Sequence, residues 1–388
     1  MDAAQFTTIL LDKKHHDLKK MEHKYHKENI QEYLKLLDIS LWQKIDLPDF
    51  NGNKLVYLPL DLLSLEKAIK TLAKNDTKKG KYDPLSMEEE VFSSLAIENI
   101  PSSKKSIHKI FQGYAPNLPE VDQIYSFKKA IDFIADPSNI ITENNIFKLY
   151  SLLIKDFLPD YSQLQPGKYY RNDEVFVVGS PMIHQGLNHK LIPEYMTRFI
   201  DYVNREEDIS PLLKGSIIHF YIAYLHPYFD GNGRMARMLH LWFLVQNGYS
   251  HSLSHSFSSY IYQSRTHYYQ SFAKIEENHS ISKVIDITPF LSYFISYVYN
   301  KLEENPNDNS RCAIYEEKLK EGMITLKESQ LWNYTCSAFP KEEFSTKQLE
   351  KEYAQAAYAT IRSFVIKFEG FKLLEKSTYG NRIRYRIK

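Results

Sequence analysis

His226-Pro227-Tyr228-Phe229-Asp230-Gly231-Asn232-Gly233-Arg234-Met235-Ala236-Arg237 is a polar, glycine-punctuated loop wedged between two strongly apolar stretches. Before it, Pro211 opens a segment carrying Ile217, Ile218, Phe220, Tyr221, Ile222, Tyr224 and Leu225. After it come Met238, Leu239, Leu241, Trp242, Phe243, Leu244 and Val245, closed by Gly248. Hydrophobicity this continuous marks both as buried central helices, and two core helices hold the loop between them rigidly, as a site requires. The fold is therefore expected to be mainly α.

The loop is poor packing material and good chemistry. Gly231 and Gly233 free the backbone around Asn232 so that successive amides can converge on an anion, and the helix beginning near Gly233 aims its free amides at the same place. Arg234 and Arg237 lie three apart in that first turn, at the end of the dipole where cations are disfavoured. An anion offsets that cost, and a polyphosphate engages both guanidinia. Asp230 supplies the hard oxygen that Mg²⁺ bridging two phosphates needs, and His226 is the loop's side chain suited to general-base work. A structural turn with salt-bridged arginines explains any one of these residues but not the set.

Upstream, Ser86 with Glu89 three residues on reads as a capping box. It predicts a helix over 86–99 that stops before Pro101. Ser94 and Glu98 share a face of it, with Glu98 near the C-terminus, where a carboxylate wants a cationic partner; a solvated glutamate is the plain alternative. Thr142 starts another helix. Glu174-Val175-Phe176-Val177-Val178, a Gly179-Ser180-Pro181 turn and Met182-Ile183-His184 form the clearest β signal. One hairpin in a helical chain makes no core of its own, so it is expected as a flap with an edge able to pair with an extended peptide.

Residues 1–84 read as an N-terminal helical region, mostly polar, with Leu58, Leu62 and Leu65 at helical intervals and an exposed turn or linker at Lys74–Lys81. His15 and His16 stand among lysines, which favours a solvated face over a metal site. At the other end, Glu303-Glu304-Asn305-Pro306-Asn307-Asp308-Asn309-Ser310 punctuates the chain, giving a linker over 303–312. Residues 313–388 then read as three short helices and a hairpin, the order of a winged helix-turn-helix. Arg382, Arg384 and Arg386 alternate with Ile383, Tyr385 and Ile387, placing the charges on one face. From Ile361 onward eight Lys or Arg face two Glu, so this tail carries +6 and the rest of the chain −5, given a total of +1. A basic wing suits DNA phosphate and an acidic protein equally.

That near-neutral total removes any global field for nucleic acid or membrane. The 388 residues exceed one ordinary domain, and 29 Tyr with 22 Phe argue for packed cores. Two cysteines, Cys312 and Cys336, make no disulfide framework. No secretory leader or membrane-length apolar run is evident, so a soluble cytoplasmic protein is expected.

The central stretch closely resembles the signature of the Fic family, HPFx(D/E)GNGRxxR, with Tyr228 in place of Phe. Resemblance implies a Fic-type helical core over 85–302, with the inhibitory helix at 86–99 and the flap at 172–186, transferring AMP from ATP to a Ser, Thr or Tyr hydroxyl of a target protein or of the chain itself. By the same resemblance His226 deprotonates the hydroxyl and Asp230 holds Mg²⁺. Gly231, Asn232 and Gly233 with Arg234 grip the α- and β-phosphates, and Arg237 meets the γ-phosphate. Glu174, Val175, Phe176 and Val177 fall where the family's target-aligning flap belongs. Ser94-Leu95-Ala96-Ile97-Glu98-Asn99 is similar to the inhibitory pattern (S/T)xxxE(G/N), which implies that Ser94, Glu98 and Asn99 restrain the site, Glu98 pairing with Arg237; in some relatives this glutamate is linked to AMP removal. Transfer of another phosphate-containing group, and an ATP-sensing winged-helix regulator that binds DNA, are the other readings. The target is not legible, nor is the oligomeric state, a homodimer among its options.

Overall fold

The computed structural model describes residues 1–72, 84–111, 121–178, 183–304, 314–315, 317–319, 321–339, 343–353, 356–380 and 382–388. Along the chain the helices are α1 (Ala3–Leu10), α2 (Leu18–Tyr25), α3 (Lys27–Ser40), α4 (Glu66–Leu72), α5 (Pro84–Ile97), α6 (Lys104–Phe111), α7 (Val121–Ile134), α8 (Glu143–Leu153) and α9 (Ile192–Asn204). They continue as α10 (Pro211–Leu225), α11 (Asn232–Gln246), α12 (Phe257–Gln263), α13 (Arg265–Ser282), α14 (Thr288–Tyr297), α15 (Leu326–Ala338), α16 (Thr346–Tyr353) and α17 (Tyr358–Gly370). Three antiparallel hairpins punctuate them: β1 (Gln43–Pro48) with β2 (Lys54–Tyr57), β3 (Phe176–Val178) with β4 (Ile183–Gln185), and β5 (Leu374–Tyr379) with β6 (Arg382–Ile387). Among the described residues no helix is long and apolar enough to cross a membrane.

At the centre, α10 and α11 pack against each other and are buried on nearly every face. Burial on all sides, rather than along one stripe, is what continuous hydrophobicity produces. Their core extends from Ile45 to Leu302 and includes Leu47, Leu55, Ala68 and Leu72. A second cluster around Met21, Ile30, Tyr33 and Trp42 closes the N-terminal segment. A third, around Trp332, Phe344, Phe364 and Phe368, closes the C-terminal unit.

The N-terminal region, read as mostly helical, also contains a hairpin. Residues 43–57 form the β1–β2 hairpin, turned at Gly52 in the left-handed region (φ 85). Val56 then extends it onto the α13–α14 connection, donating to the Ile285 carbonyl at 3.1 Å and accepting from the Ile287 amide at 2.9 Å. Leu58, Leu62 and Leu65 do not share a helix; a single 3-10 turn, Pro59–Asp61, precedes α4. His15 and His16 are half-buried and face Asp61 rather than forming a solvated face.

α5 begins at Pro84, two residues earlier than the expected start at Ser86, and ends at Ile97 rather than Asn99. The Ser86 hydroxyl donates to the Ser254 carbonyl and Glu89 binds Lys104, so that pair forms no capping box; a proline in the first turn starts the helix instead. Asn99 lies beyond the helix at φ 56. The flap pairs only 176–178 with 183–185, a shorter ladder than the 172–186 expected. The linker at Lys74–Lys81, the Gly179-Ser180-Pro181 turn with Met182, Cys312 and residues 305–312 of the 303–312 linker lie outside the described residues.

After the linker, α15, α16 and α17 are followed by the β5–β6 hairpin, and Phe344 bridges to Tyr385 with 2.8 Å bonds both ways. Thr325 and Glu328 form a true capping box at α15. Arg382, Arg384 and Arg386 are exposed while Tyr385 and Ile387 are buried. Arg386 is paired with Glu375 at 2.9 Å, and Arg384 donates to the Glu343 carbonyl at 3.3 Å. This unit touches the body through α15, which packs against α5 and α6. The Tyr334 ring lies 5.1 Å from that of His108, whose Nδ1 is 2.9 Å from buried Glu88.

Candidate functional site

His226 caps α10 in the left-handed conformation (φ 54), a turn that swings its side chain off the helix end. Its Nδ1 lies 3.0 Å from the Ala223 carbonyl, so Nδ1 carries the proton and Nε2 is left as the basic nitrogen. Burial pushes the imidazole down to about 4, so it is neutral near pH 7.

The loop after it is braced from within. Tyr228 stacks on Tyr150 at 4.0 Å, nearly parallel, beneath the loop. The Asn232 side chain accepts from the Tyr228 amide at 3.0 Å and donates to the Tyr228 carbonyl at 2.9 Å, closing the turn. Gly231 sits at φ 80, and a Cβ there would lie 2.2 Å from Ile154 Cδ1. A Cβ on Gly233 would lie 2.5 Å from the Glu98 carboxylate. Gly231 is thus required by close approach and by conformation, while a side chain at Gly233 would displace the Glu98 carboxylate.

Asp230 is largely exposed; one carboxylate oxygen takes the Gly231 amide at 2.5 Å and the other lies 3.8 Å from Arg234. Arg234 is buried, reaches the Leu153 carbonyl at 3.4 Å, and leaves Nε buried without a partner. A guanidinium in that state calls for an anion.

Arg237, by contrast, is engaged through Nε and Nη2. Its Nε donates to Ser94 Oγ at 2.9 Å, and its Nη2 to the Ser94 carbonyl at 3.2 Å and to Glu98 Oε1 at 2.8 Å. The arginine side chain is 2% exposed and the glutamate 27%. Burial on its own raises the Glu98 carboxyl, but the charge and hydrogen bond of Arg237 outweigh it and hold the group below its usual range. Asn99 accepts from Arg265 at 3.3 Å and does not touch the loop arginines. Ser94 and Glu98 therefore meet Arg237 as the spacing suggested, and the structure gives Asn99 a different neighbour.

Two residues that tie the flap to the loop were not singled out from the sequence. Arg171, buried, donates from its backbone to the Pro227 carbonyl at 3.1 Å and from Nε to the His226 carbonyl at 2.7 Å. Its two terminal nitrogens reach the Asp173 and Leu187 carbonyls. His184, on β4, lies 2.8 Å from both the Tyr224 carbonyl and Glu276. Phe176 and Val177 are exposed on the flap, Val175 accepts from the Gly186 amide at 3.1 Å, and Glu174 lies 3.4 Å from His189. The signal available for Arg171 was its place between a Pro-Gly turn and the clearest β signal.

Residues 140–244, which hold α8 to α11 with the flap and the loop, match the model of the Fic/DOC family. Over those residues the chain is similar to a Fic domain. Over 168 residues it is 27% identical to a probable protein adenylyltransferase of Aquifex aeolicus, covering 41% of this chain and 48% of that protein. Over 270 residues it is 23% identical to a protein adenylyltransferase Fic of Nematostella vectensis, covering 67% of this chain and 54% of that one. The match thus spans about half the length of these relatives. A Fic family protein from Desulfovibrio desulfuricans shares the fold at a TM-score of 0.52 and 18% identity, over 84% of this chain and 94% of that structure.

Proposed function

We propose that the chain is a self-restrained protein adenylyltransferase that moves AMP from ATP to a Ser, Thr or Tyr hydroxyl. The observation carrying this is the pairing of buried Arg237 with Glu98 and Ser94, beside an Arg234 whose Nε is buried and unpartnered. A phosphate chain lying over the Gly231–Arg234 amides reaches both arginines. Asn232 contributes its backbone there, because its side chain closes the turn.

His226 Nε2 accepts the proton of the target hydroxyl, whose oxygen attacks the α-phosphorus. The bond from that phosphorus to its bridging oxygen breaks, and pyrophosphate departs with the electron pair. The exposed carboxylate of Asp230 fits Mg²⁺, which when bound neutralises phosphate charge. The peptide bearing the hydroxyl adds to the edge of the flap, where Phe176 and Val177 are exposed. While Glu98 holds Arg237, the γ-phosphate lacks its partner and bound ATP is misaligned. We further read 85–302 as the catalytic unit and 313–388 as a winged helix-turn-helix that selects the target.

With ATP labelled on the α-phosphate, Glu98→Gly is expected to raise labelling of the chain or of a lysate protein at least tenfold, and His226→Ala to abolish it. Labelling from the γ- but not the α-phosphate would assign phosphate transfer instead. Absence of label from either position in Glu98→Gly across several lysates would sink the enzyme reading.

A further inference from the structure

Far along the chain from the Fic loop, the turn between α1 and α2 sets two imidazoles against one carboxylate. His15 Nε2 lies 2.8 Å, and His16 Nδ1 3.6 Å, from the same oxygen, Oδ2 of Asp61. The three atoms lie within 4.8 Å of one another, and the two rings are 3.8 Å apart. A single proton can join His15 to Asp61, but it leaves the second imidazole directed at an oxygen already used. A cation between them serves all three. Ligand atoms held about 2.0–2.1 Å from a tetrahedral zinc sit about 3.3 Å apart, between the two spacings observed.

The surroundings fit the same reading. His15 Nδ1 lies 2.6 Å from the Asp12 carbonyl, which takes its N–H and leaves the Nε2 lone pair facing Asp61. Metal-bound imidazoles are oriented in this way by a backbone carbonyl. Asp12 is itself fixed by Lys24 at 2.5 Å and Tyr25 at 2.8 Å. The cluster opens onto a cavity of about 20 Å³ also lined by Tyr33, Asn278 and Asp286, room for about one water-sized occupant. Asp286 gives one oxygen to Thr288 at 2.9 and 2.5 Å, and a water in the cavity can complete a fourth position. Two imidazoles with a carboxylate suit zinc-class ions and not Mg²⁺ or Ca²⁺.

We infer that His15, His16 and Asp61 bind one zinc-class divalent ion, which clips the N-terminal helices to the Fic-bearing body. The full-length chain, stripped with chelator, would be dialysed against Zn²⁺ or Co²⁺ with Mg²⁺ in excess to occupy Asp230. The expected result is one retained equivalent, a visible cobalt absorption of low coordination number, and a raised melting temperature in Zn²⁺. His16→Ala and Asp61→Asn should lose the equivalent and the melting shift, while Asp230→Ala keeps both. No retained ion, or equal retention in His16→Ala and Asp61→Asn, would overturn the site and leave a His15–Asp61 ion pair. Should either variant fail to fold, X-ray absorption of the zinc-loaded unmutated chain decides: two imidazoles in the shell support the site, and none overturns it.

Discussion

His226 is held neutral by desolvation, and that has a pH signature. Its folded value, about 4, lies below the ordinary 6.5, so the unfolded chain binds the proton more readily. Its contribution to stability is present above about 6.5 and is lost as pH falls toward 4. Buried His219 and His240 are pushed down in the same direction. Asp286 works the other way: burial raises it to about 6, so its contribution is present below 3.8 and lost as pH rises through 6. In Glu98→Gly, labelling should keep its base limb down to about pH 5, with circular dichroism confirming the fold; a midpoint near 6.5 would show a solvated His226. Tyr228→Phe tests the one departure from the Fic signature. The Tyr228 hydroxyl is buried without a partner, so Phe should leave labelling unchanged and stability equal or up to about 1 kcal/mol higher in a denaturant titration. The loop residues were legible because glycines, arginines and a carboxylate between two apolar helices have no packing rationale. Arg171 was not, because its worth lies in three carbonyls brought together only by the fold.

Among the elements, the flap depends on anchors outside its own ladder. Three residue pairs give it little independent stability, and His184 and Arg171 fasten it to α10, α13 and the loop. His184→Ala should therefore lower the rate on a protein target about tenfold or more while ATP affinity, measured by calorimetry, stays within twofold. Equal loss of ATP affinity would mean the flap also shapes the nucleotide site. Helix α5 was legible in its register, since Ser94 and Glu98 share a face, but not in its start. Ser86 and Glu89 have capping-box spacing, yet Pro84 begins the helix and both side chains serve tertiary contacts. The β1–β2 hairpin was missed although Asn51-Gly52 marks its turn, because Leu58, Leu62 and Leu65 immediately after it stand at helical intervals.

Across the whole molecule, α5 meets the loop through the Glu98–Arg237 pair on one side and the C-terminal unit through α15 on another. Deleting 313–388 removes the Tyr334 ring from over the buried Glu88–His108 pair and lets water reach α5 and α6. The expected outcome is a lower melting temperature for the remaining body and higher basal labelling. Unchanged labelling would separate the restraint from the tail. If the tail binds DNA, affinity should fall steeply with salt and vanish with the deletion; the bonds of Arg384 and Arg386 to Glu343 and Glu375 leave Arg382 as the least engaged cation of that strand. The separate C-terminal core was legible because a Pro/Asn-rich stretch precedes it. Participation of β1, β2 and α4 in the main core was not, since it depends on contacts with residues far along the chain, such as Tyr221 bonding to the Pro48 carbonyl 173 positions away.

The guanidinium of Arg171 joins, through one rigid plane, the carbonyl of His226 to those of Asp173 and Leu187 at the two roots of the flap. A planar fork bends little. A displacement of the flap is therefore delivered to the backbone that carries His226. In the proposed reaction, how well a polypeptide is seated on the flap is thereby coupled to the position of His226.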